Sequence, residues 1–211
     1  MKKRFFVVAL VAMLAVPAFA QQHCPESDFR VVPVGGGASV RIVEYLGDNW
    51  TVNIPPTIRG LPVTHIGEFA FAGMRIDGWG RQVSTRIHLL NVTIPNSVTH
   101  IENGAFMGSQ LTSVVIPDSV IHIGDMAFHG SNLASLTIGN NVRIIGLMAF
   151  AGNQLTSVAI PNSIVEIGYL AFISNRLTSV TIPFNAAGGL VWGERMRAID
   201  AFDPGVTVTR R

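Results

Sequence analysis

Three histidines are the first residues that could do chemistry. His65, His100 and His122 each fill the second x of a V/I-x-x-I pattern in successive segments, and Ile144 and Glu166 continue the column. If these segments stack as strands, His100 and His122 lie about one strand spacing apart, ~5 Å. Two such imidazoles could share a zinc or copper ion. Zinc, however, takes bonds of ~2.0–2.1 Å and usually three or four protein ligands. A straight ladder spreads its outer members to ~10 Å, beyond the reach of one ion. The column is read as exposed ladder positions that happen to be His. No metal and no other cofactor is expected.

Other sources of chemistry fall away in turn. Gly35-Gly36-Gly37 lacks the Lys-Ser/Thr ending of a phosphate loop and does not fit G-x-G-x-x-G, so it reads as a hairpin turn. No G-x-S-x-G, H-E-x-x-H or EF-hand loop occurs. Glu102, Asp118, Asp125 and Glu166 are scattered singly, with no recurring catalytic pair. Cys24 is the one cysteine, which excludes an intramolecular disulfide framework and any Cys-rich zinc module. No catalytic residue is assigned, and the chain is expected not to be an enzyme.

Binding chemistry is better represented. The stretch 74–86 carries Trp79 between Gly78 and Gly80, together with Arg75, Arg81, Arg86 and Asp77. Trp and Arg are enriched at interface hot spots. The alternative is a loop that folds its Trp back over the edge of the fold.

A repeat must position these residues. Leu111-Thr-Ser-Val114, Leu133-Ala-Ser-Leu136, Leu155-Thr-Ser-Val158 and Leu177-Thr-Ser-Val180 recur every 22 residues. Pro95, Pro117, Pro161 and Pro183 keep the same step, as do the Ala-Phe pairs ending at Phe106, Phe128, Phe150 and Phe172. In the unit 111–132, Val114 and Ile116 alternate as a short strand that Pro117 ends. Val120, Ile123, Ala127 and Phe128 have spacing compatible with a short turn of helix or 3₁₀. One unit cannot bury these residues alone, but stacked units form a continuous core.

The stretches Leu-Thr-Ser-Val-x-Ile-Pro-Asn-Ser-Val and Ile-Gly-x-x-Ala-Phe closely resemble the bacterial BspA-like, or Treponema-type, leucine-rich repeat family. The resemblance covers about 90–182, with a variant over 50–72. It implies a curved solenoid with short parallel strands lining one face and short helical or 3₁₀ turns. It also implies no enzyme activity, and an exported or cell-surface protein that binds proteins or other cells.

With Val114 and Ile116 inward, Ser113 and Val115 point outward. Their equivalents are Asn91 and Thr93, Ser135 and Thr137, Ser157 and Ala159, and Ser179 and Thr181. This uncharged, small-residue face is a second candidate partner surface. The alternative is that such residues simply tolerate tight strand stacking.

Departures from the repeat mark the ends. Residues 1–20 read as a secretory signal: Met1-Lys2-Lys3-Arg4, an apolar run from Phe5 to Val16, Pro17, then Ala18-Phe19-Ala20. Residues 21–49 are expected to cap the N-terminus, with Phe29–Val34 and Val40–Tyr45 as a hairpin. The solenoid spans 50–182, with 13 extra residues around 74–86, and 183–211 is the C-terminal cap. The chain has 15 Lys and Arg against 13 Asp and Glu, and a pI near 9.1. Lys2, Lys3 and Arg4 supply the excess, so loss of the signal leaves 12 Arg against 13 acids. A nucleic-acid partner is therefore not expected. No segment is long enough to span a membrane. The expected partner is a protein of the envelope or a host surface, with a glycan as the alternative for a carbohydrate- or cell-wall-associated structural protein.

Overall fold

A computed structural model describes residues 23–76, 82–85, 87–184, 187–188, 190–191, 194–195 and 198–211. The signal segment, Trp79, Arg81 and Arg86 lie outside them.

The chain enters through an antiparallel hairpin, β1 (Phe29–Val34) and β2 (Ser39–Tyr45), turned by Gly35–Gly37. All three glycines have positive φ, which a side chain would resist. Then follow β3 (Thr51–Asn53), β4 (Thr57–Ile58), β5 (Leu61–Ile66), and an antiparallel ribbon of β6 (Met74–Ile76) and β7 (Gln82–Ser84). The repeats contribute β8 (Asn91–Thr93), β9 (His100–Ile101), β10 (Ser113–Val115), β11 (His122–Ile123), β12 (Ser135–Thr137), β13 (Ile144–Ile145), β14 (Glu166–Ile167) and β15 (Ser179–Ile182). The last segments are β16 (Ala187–Gly188), β17 (Leu190–Val191), β18 (Glu194–Arg195) and β19 (Thr207–Arg210).

These strands wind a β-solenoid. The longest ladder runs β1-β2-β5-β9-β11-β13-β14-β16, parallel from β2 onward. It is built from the V-x-x-I segments. Within Val120–Ile123, His122–Ile123 is thus a strand where helical spacing was expected. The helical component shrinks to single 3₁₀-type turns around Ala-Phe, such as Ala127 N–H to Gly124 C=O at 3.4 Å and His129 N–H to Met126 C=O at 3.0 Å. Five residues cannot close a helix and its caps, whereas each extended residue can bond the unit below and above.

The opposite face, from the L-x-x-V-x-I segments, is split. β3 pairs β8, β10 pairs β12, and β15 pairs β19, all parallel. No ladder joins β8 to β10, and residues 157–159 form no strand.

Between the faces sits the core. Phe71, Phe106, Phe128, Phe150, Phe172 and Phe202 stack with centroids 5.0–5.3 Å apart and planes within 15°. Tyr45 extends the stack at 5.4 Å from Phe71. The extra residues between Phe71 and Phe106, and between Phe172 and Phe202, leave its spacing unchanged. Burying each ring contributes roughly 1.5–3 kcal/mol.

Polar side chains close the turns between units. Ser119 and Ser163 hydroxyls donate to Val98 and Val142 carbonyls at 2.7 and 2.6 Å. Ser131, Asn153 and Asn175 form a column beneath the Ala-Phe turns. Asn153 Nδ2 donates to Phe128 and Phe150 carbonyls at 2.9 Å, while its Oδ1 accepts from Leu133 N–H at 2.9 Å. Asn175 repeats this pattern one unit on, toward Phe150, Phe172 and Leu155. Gly146 belongs to a tight column on the long ladder, where an added Cβ would lie 2.6 Å from Asp125 N.

Candidate functional site

The strand face comes first. Val114 and Leu136 point inward, leaving Ser113, Val115, Ser135 and Thr137 exposed in register: Ser113 opposite Ser135, Val115 opposite Thr137. Ser179 and Thr181 are exposed on β15, and Thr181 lies 3.3 Å from Thr209 of β19. Ser157 and Ala159 are exposed too, but on a segment without strand pairing. The expected single array of outward pairs is therefore broken at that unit. Flanking units there touch through Gln154 N–H to Leu133 C=O and Arg176 N–H to Leu155 C=O, at 2.8 and 2.9 Å.

The insertion is a two-stranded ribbon at its base. Met74 pairs Ser84, Arg75 pairs Val83, and Ile76 pairs Gln82. Thr85 N–H donates to Gly73 C=O at 2.9 Å, and its hydroxyl to Ala72 C=O at 2.6 Å, fixing the ribbon to the end of the Ala-Phe turn. Arg75 sits on this ribbon.

The histidines stack as an in-register column on the long ladder. His65 and His100 rings lie 4.6 Å apart, parallel within 3°, and His122 follows at 6.0 Å with a 36° tilt. They are half-buried rather than exposed. Thr64 and Thr99 hydroxyls meet His65 and His100 Nδ1 at 2.9 Å. Burial pushes the pKa of both down; beside them Arg41 adds to this and pairs with Glu102 at 2.7 Å. Among the described residues, no three His, Cys, Asp or Glu gather as a metal site.

A feature missed in the sequence lies beside the insertion. Trp50, 61% exposed, stands just before β3 and borders a hollow of about 300 Å³ with His88, Leu90 and Gln110. The Trp50 carbonyl accepts from Leu90 N–H and Asn91 N–H at 2.8 and 3.1 Å. A second hollow of about 340 Å³ opens where β8 and β10 fail to pair.

Residues 84–187 match the BspA type leucine rich repeat region, in six copies. The chain is a BspA-type leucine-rich repeat protein. A similar solved structure is the pneumococcal vaccine antigen PcpA: 23% identity, TM-score 0.52, covering 80% of this chain and 51% of that one. Another is a leucine-rich repeat protein from Eubacterium ventriosum: 20% identity, TM-score 0.50, covering 87% and 42%. The T. pallidum leucine-rich repeat protein matches at 24% identity and TM-score 0.48, covering 79% and 64%. The chain thus spans less than two thirds of each of these relatives, and with PcpA and the E. ventriosum protein it shares the fold. No curated protein matches the chain significantly. Among the described residues, no helix of this BspA-type solenoid is long and apolar enough to cross a membrane.

Proposed function

We propose that this BspA-type repeat protein is exported and serves, without catalysis, as a binding or adhesion protein whose partner is a protein at or outside the cell envelope. The observation that carries this reading is the insertion at 74–86, an antiparallel ribbon at its base. It interrupts otherwise regular units and bears Trp79, Arg75, Arg81 and Arg86, residue types that anchor protein interfaces. The signal-like residues 1–20 support export. PcpA is described as a vaccine antigen, which favours a location within reach of a host.

The test is a pull-down of the chain from residue 21 with envelope and host extracts, read by mass spectrometry. Replacing Trp79 and Arg81 with Ala should remove the partner while the melting temperature holds. If a bulky residue at Ser135 or Ser157 removes the partner instead, the strand face is the binding surface. If neither set of changes matters, the binding assignment fails.

A further inference from the structure

We propose that the seam between the units 88–96 and 110–117 holds a linear, uncharged oligosaccharide, with one sugar ring seated against Trp50. This reading does not depend on the binding role proposed for the 74–86 insertion.

The seam is where the split face opens. β8 pairs only with β3, and β10 only with β12. Both hollows draw on the same two units, with Trp50 added from the turn before them. Trp50, His88, Leu90 and Gln110 line one hollow, and residues 91–94, 96, 113–115 and 117 line the other. Each volume falls at the lower end of ligand-site sizes, ~300–1,000 Å³.

The lining chemistry selects the ligand. An exposed indole offers a flat apolar face with a polar tip, which fits the axial C–H face of a pyranose ring, and Leu90 adds apolar wall. Gln110 Nε2 donates to His88 Nδ1 at 3.3 Å. The amide and the imidazole together bring both donor and acceptor atoms to this wall. A donor and an acceptor side by side match neighbouring hydroxyls, each of which can donate and accept. Farther along, Asn91, Asn96 and Ser113 are exposed, bringing amides and a hydroxyl. Among the described residues, no Lys, Arg, Asp or Glu lines either hollow. A charged glycan or an acidic or basic peptide would find no counter-charge there, whereas a neutral sugar chain needs none.

Isothermal titration calorimetry on the intact chain tests this. The probes are neutral hexasaccharides of β-1,4-glucose, β-1,4-N-acetylglucosamine, β-1,4-mannose and α-1,4-glucose, with a hexagalacturonate as the anionic comparator. At least one neutral hexasaccharide should bind saturably at one site, and the hexagalacturonate should not. Trp50→Ala should weaken binding by about tenfold or more, whereas Trp50→Phe retains most of it. Gln110→Ala, an exposed change that leaves the core intact, should weaken it too. Binding by none of the neutral probes overturns the proposal. So does binding that survives both Trp50→Ala and Gln110→Ala, or equal binding of the anionic probe. Loss of a protein partner in Trp50→Ala without any sugar binding would assign the hollow to a protein side chain, and also overturns it. The ribbon variants at Trp79 and Arg81 should bind sugar normally, so either reading can fail alone.

Discussion

Asn153→Ala should be among the costliest single changes in this protein, although it removes only one small polar side chain. Asn153 is buried and makes bonds in both directions along the solenoid. Its loss strands two backbone groups. Leu133 N–H is bonded only to Asn153 Oδ1, and Phe128 C=O only to Nδ2. Two other carbonyls are spared: Phe150 keeps Asn175 Nδ2, and Ala151 keeps Gly130 N–H. Each buried orphan costs about 1–3 kcal/mol, so the change should cost about 2–6 kcal/mol. For a chain of this length each kcal/mol moves the melting temperature by about 2–4 °C. A drop of about 4–24 °C is therefore expected in calorimetry. Asn153→Ser should recover about half, because Ser131 one unit earlier already reaches the equivalent Phe106 carbonyl at 2.9 Å. A drop of less than about 2 °C in Asn153→Ala, or a Ser variant no better than Ala, would refute the reasoning.

Two further perturbations probe the ladders. Gly146→Ala forces a Cβ to 2.6 Å from Asp125 N, backbone that cannot yield, and should cost about 3 kcal/mol in denaturant melts. Gly130→Ala meets nothing within 4 Å and carries only the left-handed penalty of its +63° φ, about 1–2 kcal/mol. On pH, His65 and His100 have folded pKa values below the ordinary 6.5. The unfolded chain therefore takes up protons first, and stability that is full above pH 6.5 is lost as pH falls through that value. The melting temperature should drop between pH 7.5 and 5. The double change of His65 and His100 to Gln, which leaves Arg41, Glu102 and His122 in place, should flatten the drop.

The stacked architecture was legible because its signals are chemical and periodic. Phe106, Phe128, Phe150 and Phe172 announce their column at a fixed step, and prolines mark where strands stop. The V-x-x-I segment was misjudged because 3–4 spacing within five residues fits a turn of helix and a short strand equally well. What selects the strand is partners one unit away, as in Gly146 N–H to Ile123 C=O at 2.8 Å, and these are invisible in local spacing. Ser131, Asn153 and Asn175 suit turns for reasons of their own, which masks their role in tying units together. Its signal was there: hydrogen-bonding side chains at the 22-residue step, just before the polar residue that precedes each Leu. Met126, Met148 and Leu170 share a left-handed backbone at φ 51–55°, for which only Gly104 in the same column is a hint. Trp50 lay outside the regular repeats, and its neighbours His88 and Gln110 come from units far along the chain.

The aromatic stack also makes this protein a ruler. Every tie described between units reaches only the adjacent turn, so one turn can be gained or lost by a 22-residue duplication or deletion without redesigning the rest. Each such event changes the distance between the ribbon at 74–86 and the far end by one strand spacing, about 4.8 Å. Reach, rather than surface chemistry, is then what copy number tunes. A lineage could lengthen or shorten the span between two contact points in fixed increments while keeping both contacts unaltered.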